Sequence, residues 1–139
     1  MQEFTLEKTK GDVIVISAGR ASRPKNFGKK TACPFDVGVE ELTPPTTFAL
    51  PSPRSWRVRC FNNAFAFLAR KGKFNPRKAG ARNWHSPAFG DHEVIVETPV
   101  HGRNFEEFTP GEARLALAAW ADRENSFYAR PGVKYAFLF

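Results

Sequence analysis

Four groups of residues in this sequence have types and spacings that can do chemistry. The first is Arg20-Ala21-Ser22-Arg23-Pro24, which directly follows the apolar stretch Asp12–Ser17. Guanidinium groups grip phosphate oxygens through paired N–H donors, so Arg20 and Arg23 at a strand end can form a phosphate clamp. The same pair can equally be two solvated loop arginines, since exposed charges often do no more than face water. The second group is Cys33-Pro34-Phe35-Asp36. A thiol and a carboxylate separated by two residues match the turn spacing of a metal knuckle; the plainer reading is a turn with a half-buried thiol. The third is Phe61 with Asn62 and Asn63, at the end of an alternating stretch. A strand-end phenylalanine beside an asparagine can stack on a base and hydrogen-bond its sugar, or it can pack in a core while the asparagine makes a turn. The fourth is His101, two residues after Pro99. A histidine just beyond a strand end sits at a site mouth, or in an ordinary surface loop.

Each of these residues needs an element to hold it. Glu93-Val94-Ile95-Val96-Glu97-Thr98 places three β-branched residues in a row between Gly90-Asp91 and Pro99, which predicts a strand. Asp12–Ser17 reads as a buried strand. Ser55–Phe61 alternates, with Trp56, Val58 and Cys60 on one face and Arg57, Arg59 and Phe61 on the other. Cys60 is then a core thiol and not a ligand. Thr109-Pro110-Gly111-Glu112 combines a capping threonine, a proline at the first helical position and the glutamate of a capping box. A helix follows to about Asn125, with Ala113, Ala116, Leu117 and Trp120 on its apolar face. Lys134–Phe139 reads as a last strand. Residues 1–11 read as a polar arm, and the proline-rich residues 41–53 as an irregular loop. Residues 69–89 read as a basic, turn-rich loop. It is either solvated or, with Phe74 and Trp84 interleaved, a nucleic-acid patch. Strands around one helix predict an α+β fold, an antiparallel sheet with the helix packed on one face.

Composition sets the outer bounds. A chain of 139 residues is one domain, or half of a larger one, and 14 Phe with 3 Trp suffice for a core. The net charge of +7 favours anionic partners without choosing among nucleic acids, nucleotides and sugar phosphates. Cys33 and Cys60 make no disulfide framework, which points to a reducing cytoplasm. There is no run of apolar residues long enough for a membrane span and no secretory signal at Met1-Gln2-Glu3-Phe4. The sequence stops on the apolar Tyr135-Ala136-Phe137-Leu138-Phe139, which predicts that the fold continues elsewhere, in a second polypeptide or in residues cut away.

In order, Arg20-x-x-Arg23-Pro24, Cys33-Pro34-Phe35-x-x-Gly38, Thr43-Pro44-Pro45, Trp56-x-Val58-Arg59-x-Phe61-x-Asn63-x-Phe65-x-x-Leu68 and Gly90-x-His92-Glu93-Val94-Ile95-Val96-Glu97-Thr98-Pro99-x-His101 resemble the N-terminal half of galactose-1-phosphate uridylyltransferase, a family of the histidine-triad superfamily. The resemblance runs from about Asp12 to Phe139. It implies a histidine-triad-like half and uridylyl transfer between UDP-glucose and a hexose 1-phosphate through a uridylyl-histidine. It implies that Arg20 and Arg23 contact phosphate, that Phe61 and Asn63 line the uridine and ribose pocket, and that Cys33, Asp36 and His101 hold zinc. Two departures stand out. Asp36 replaces the second cysteine of the family's pair, which zinc tolerates. The family's nucleophile lies in a His-x-His-x-Gln motif, and the histidines here are His85, His92 and His101, none of them in such a motif. The domain formed by residues 1–139 would therefore lack its nucleophile, and the partner it needs is a second chain or segment that carries the motif. A homo- or hetero-oligomer is expected, through that second chain or through a dimer that covers an exposed sheet edge. The alternatives are a non-catalytic nucleotide- or partner-binding module and a basic nucleic-acid binder.

Overall fold

The computed structural model describes residues 3–7, 13–16, 33–70, 73 and 75–139. The chain folds as two compact units: Met1–Lys30 with Phe65–His92, and Thr31–Ala64 with Glu93–Phe139.

The first unit is built on a four-stranded antiparallel sheet. Its strands are β1 (Glu3–Glu7), β2 (Val13–Ile16), β5 (Arg77–Lys78) and β6 (Asn83–Pro87), in the order β2-β1-β6-β5. Phe4 pairs with Val15 on one side and Ser86 on the other, so β1 is an inner strand and not the arm its polarity suggested. Likewise the basic stretch 69–89 is not simply a loop. It contains the β5–β6 hairpin, in which Arg77 lies opposite His85 and Lys78 opposite Trp84. The turn between them uses Gly80 at φ +95, a backbone conformation that favours glycine. Arg70 grips Asp91 through three N–H···O contacts of 2.7–2.8 Å. His92 sets its ring against Phe67 at 4.7 Å, and burial pushes its pKa down.

The second unit holds a three-stranded antiparallel sheet, β3 (Thr46–Leu50), β4 (Val58–Asn62) and β7 (Glu93–Val96), with β4 in the middle. Phe61 lies opposite Val94, and Cys60 opposite Ile95. Val58 to Phe61 is buried throughout, and Trp56 just before it is 5% exposed. Helix α1 (Pro110–Tyr128) packs on β3 and β4. Its buried positions are Ala116 and Ala119, small residues that let the helix backbone approach the sheet. The unit is thus α+β, a sheet with one helix on one face. The strand β3 lies inside the proline-rich stretch. Lys134–Phe139, in contrast, forms no strand; it is an exposed segment in which Tyr135, Phe137 and Phe139 stack in series at 6.3 and 5.7 Å.

The start of α1 matches its sequence signature. The Thr109 hydroxyl accepts from the Glu112 N–H at 3.3 Å, and the Glu112 carboxylate accepts from the Thr109 N–H at 2.9 Å. Arg103 Nη1 donates to the same carboxylate at 2.8 Å, so the cap also holds the chain segment that follows β7. Thr109→Ala should lower stability by about 1 kcal/mol, the usual cost of losing such a cap. A urea unfolding curve indistinguishable from wild type would refute the role of the cap.

Candidate metal centre

Cys33, Asp36 and His101 meet in space. One donor atom from each, a thiol sulfur, a carboxylate oxygen and an imidazole nitrogen, lies within 4.8 Å of the others. His101 Nδ1 and Asp36 Oδ1 are 2.8 Å apart, across 65 residues of sequence. Two different pieces of backbone create this meeting. Cys33 and Asp36 are brought together by a tight turn in which the Asp36 N–H donates to the Cys33 carbonyl at 3.0 Å. His101 arrives from the other side, on the loop after β7, which Arg103 ties to Glu112 at the helix start.

The turn is fastened to the sheet by a chain of polar contacts. Gly38, at φ +90, turns its N–H toward the Glu40 carboxylate at 3.0 Å. Trp56 Nε1 donates to the other Glu40 oxygen at 2.7 Å, just ahead of β4. The Trp56 hydrogen bond, backbone N–H groups and the nearby Arg59 charge hold the Glu40 carboxyl below the usual carboxylate range. The Thr43 hydroxyl then links Glu40 to β4: it donates to the Glu40 carbonyl at 2.8 Å and accepts from Arg59 Nη1 at 2.9 Å.

Alternation alone does not show the surroundings of Arg59. This arginine is fully buried, and among the described residues its Nε and Nη2 have no hydrogen-bond partner. Burial lowers its pKa, partly offset by Glu40. Its guanidinium lies 5.4 Å from the Trp56 ring centroid and 4.7 Å from that of Phe61, so the rings take up part of the charge that no acceptor meets. Its neighbours in sequence carried the signal: a charged residue framed by Trp56, Val58 and Phe61 must either point out of the sheet or be stacked upon.

An open cleft of about 250 Å³ adjoins the three donors, bordered also by Phe35, Thr98, Val100 and Arg103. Small-molecule pockets begin at about 300 Å³. The cleft therefore suits an ion with its waters or a phosphate-sized group rather than a whole nucleotide sugar. The donor set fits a borderline-soft divalent metal such as zinc. Sulfur, nitrogen and carboxylate oxygen are all zinc ligands, and three protein ligands facing a cleft leave a fourth position open. Cys60, in contrast, is buried in the core as expected, and burial pushes its thiol pKa up to about 12.

The remaining expected site residues are distributed as follows. Phe61 is 3% exposed, with Phe35 stacked on it at 6.1 Å and Arg59 over its ring. Asn63 follows β4 and is half-buried. Both belong to the same compact unit as the three donors. Arg20 and Arg23 lie outside the described residues.

Comparison with known proteins gives this geometry a context. No protein-family model matches the chain. An ADP-glucose phosphorylase from Arabidopsis thaliana is 27% identical over an alignment covering 91% of this chain and 39% of the relative. The crystal structure of an ADP-glucose phosphorylase from Arabidopsis thaliana with bound ADP-glucose superposes with a TM-score of 0.61 at 25% identity, over 89% of this chain and 37% of that one. A GalT-like protein from Arabidopsis thaliana gives a TM-score of 0.60 at 26% identity, over 74% of this chain and 32% of that one. The chain is thus similar to part of an ADP-glucose phosphorylase and of a GalT-like protein. A solved uridylyltransferase shares the fold as well, with a TM-score of 0.59 over 89% of this chain and 35% of that one. The chain thus spans well under half the length of the relatives it matches. None of the described helices is long and apolar enough to cross a membrane.

Proposed function

We propose that this chain forms the N-terminal part of a nucleotide-sugar nucleotidyltransferase of the galactose-1-phosphate uridylyltransferase type. The observation that carries the reading is the convergence of Cys33, Asp36 and His101 on one cleft, in a fold shared with nucleotide-sugar enzymes. Arg20 and Arg23 would bind the phosphates of the nucleotide sugar, and Phe61 and Asn63 would border its nucleoside. The substrates would be a nucleoside diphosphate hexose and a hexose 1-phosphate or phosphate acceptor. UDP-glucose is the donor that the motifs suggest. The phosphorylase relative makes ADP-glucose the competing donor. A zinc ion held by Cys33, Asp36 and His101 would supply a cross-link between the knuckle turn and the loop after β7.

In the reaction proposed, an imidazole attacks the α-phosphorus, the bond from that phosphorus to the hexose 1-phosphate oxygen breaks, and the nucleotidyl group passes to the imidazole and then to the acceptor phosphate. Charge on the phosphoryl oxygens would be met by Arg20 and Arg23. The attacking imidazole would come from a His-x-His-x-Gln segment outside these 139 residues, since His85, His92 and His101 occur in no such motif. Catalysis would then belong to an assembly of this chain with a second chain or segment, and the paucity of cysteines would suit a reducing cytoplasm.

Calorimetry with UDP-glucose and ADP-glucose tests the binding half of the reading. One of the two should bind, and Arg20→Ala or Arg23→Ala should weaken it about tenfold, or ~1.4 kcal/mol. Adding the polypeptide that carries the histidine motif should then yield transfer of labelled nucleotide. No binding of either donor, together with no transfer, would overturn the proposal. A second reading, a partner-binding module without catalysis, is favoured by the exposed Tyr135, Phe137 and Phe139. It would give nucleotide or partner binding with no transfer.

A further inference from the structure

We propose that Phe35 is a positioning residue that couples metal binding at Cys33, Asp36 and His101 to nucleoside binding beside Phe61. The inference rests on the function proposed above and adds a regulation of the same site: metal occupancy sets nucleotide affinity.

Phe35 stands between two of the three donors. Its backbone belongs to the turn that the Asp36 N–H closes on the Cys33 carbonyl. Its ring leaves the turn and stacks on Phe61 at 6.1 Å, with 30° between the planes. Phe61 in turn is nearly sealed from solvent, and the buried Arg59 guanidinium lies over its ring. One short path of packed groups therefore runs from the donors to β4, which carries Phe61 and is followed by Asn63.

The donor end of that path is the soft end. His101 and Asp36 have side-chain exposures of 70% and 37%, so their mutual contact competes with water. Phe35 itself is 43% exposed, and its described ring contact is the one with Phe61. A metal bound to Cys33 and Asp36 fixes the backbone on both sides of Phe35 and so restricts the positions its ring can take. The Phe61 end is buried and in contact with Phe35 and Arg59, so order gained at the turn would be felt in the stack. Such coupling is reciprocal: the nucleotide must tighten metal binding by the same factor. An aromatic stack limits the size of that factor to between about twofold and about tenfold. Val37 lies in the same turn but is 59% exposed, so it provides a matched control.

The test is calorimetry of UMP and AMP, which cannot react, against the intact chain with chelator or with one equivalent of zinc. Cobalt in place of zinc reports occupancy by its visible spectrum. Zinc should tighten binding of the preferred nucleotide about twofold to tenfold in wild type, in Val37→Ala and in Phe35→Tyr. In Phe35→Ala and Phe35→Leu, metal and nucleotide should each still bind, but the ratio of affinities should fall to one. A ratio that persists in both variants overturns the proposal, as does a ratio of one in wild type with both ligands bound. If wild type binds neither nucleotide, the function proposed above fails, and the coupling fails with it.

Discussion

Glu93→Gln should destabilise the protein by about 3 kcal/mol, the low end of the cost of unpairing a buried ion pair. Glu93 opens β7 with its side chain only 3% exposed. Two arginines converge on it. Arg123, on α1, donates from Nε at 2.9 Å and from Nη2 at 3.1 Å, one bond to each carboxylate oxygen. Arg130, just past the helix, donates from Nη2 at 3.0 Å. Burial works against the Arg123 charge, yet its bonds and attraction to Glu93 more than offset this and raise its pKa. Glutamine keeps the volume but removes the charge, leaving a guanidinium that is 11% exposed with the exposed Asp122 carboxylate, at 3.4 Å, as its remaining acidic partner among the described residues. The low end of the range applies because Arg130 is 28% exposed and can turn to water. Removing both charges is a different matter. Glu93→Leu with Arg123→Met should recover most of the loss, because no buried charge remains unpaired. Urea unfolding of the single and double variants separates these cases. A loss under about 1 kcal/mol for Glu93→Gln would show that the cluster does not hold α1 to the sheet.

The same cluster illustrates what a sequence discloses and what it hides. The Thr109–Glu112 cap was legible because all its atoms lie within four residues. The strand β7 was legible because Val94, Ile95 and Val96 leave a short apolar run few other options. The Glu93–Arg123–Arg130 cluster was not, because it joins residues 30 and 37 positions apart whose types also suit solvent. Strand β1 was hidden for a related reason. Glu3-Phe4-Thr5-Leu6-Glu7 is inner only because β2 and β6 flank it, and pairing is not written in its own pattern. The reverse error occurred at Lys134–Phe139. Alternation there is real, and it gives the stacked Tyr135, Phe137 and Phe139, but a strand also needs a hydrogen-bonding neighbour, and the described residues supply none. At the metal centre, the Cys33–Asp36 spacing and the strand-end His101 were each ambiguous alone. Their convergence is a property of the fold, because the turn and the β7 loop are held by Glu40–Trp56 and Arg103–Glu112, contacts that no local motif announces.

Above pH 9 the protein should lose stability in a way that one thiol controls. Cys60 sits at the centre of β4 with no exposed surface, and its pKa is pushed to about 12 from an ordinary 9.0. Burial is the main cause; Arg123 acts in the opposite direction, and Glu93 and Asp122 reinforce the rise. Between those two values the folded chain keeps the proton and the unfolded chain releases it. The unfolded state then binds fewer protons, so stability falls as pH rises, by up to about 1.4 kcal/mol per pH unit. Below pH 9 both states are protonated, and Cys60 contributes no slope. The wild-type curve alone sums every ionisation in that range and cannot isolate the thiol. The difference between wild type and Cys60→Ala can. The substitution costs a fixed amount through its small cavity, independent of pH. From pH 9 to 10.5 the wild-type advantage should shrink by about 1.6 kcal/mol. Two unfolding series that stay parallel across that range would rule out Cys60 as the source. A thiol reagent at pH 8 checks the same point directly: Cys33 should react in the folded protein, and Cys60 only after denaturant is added.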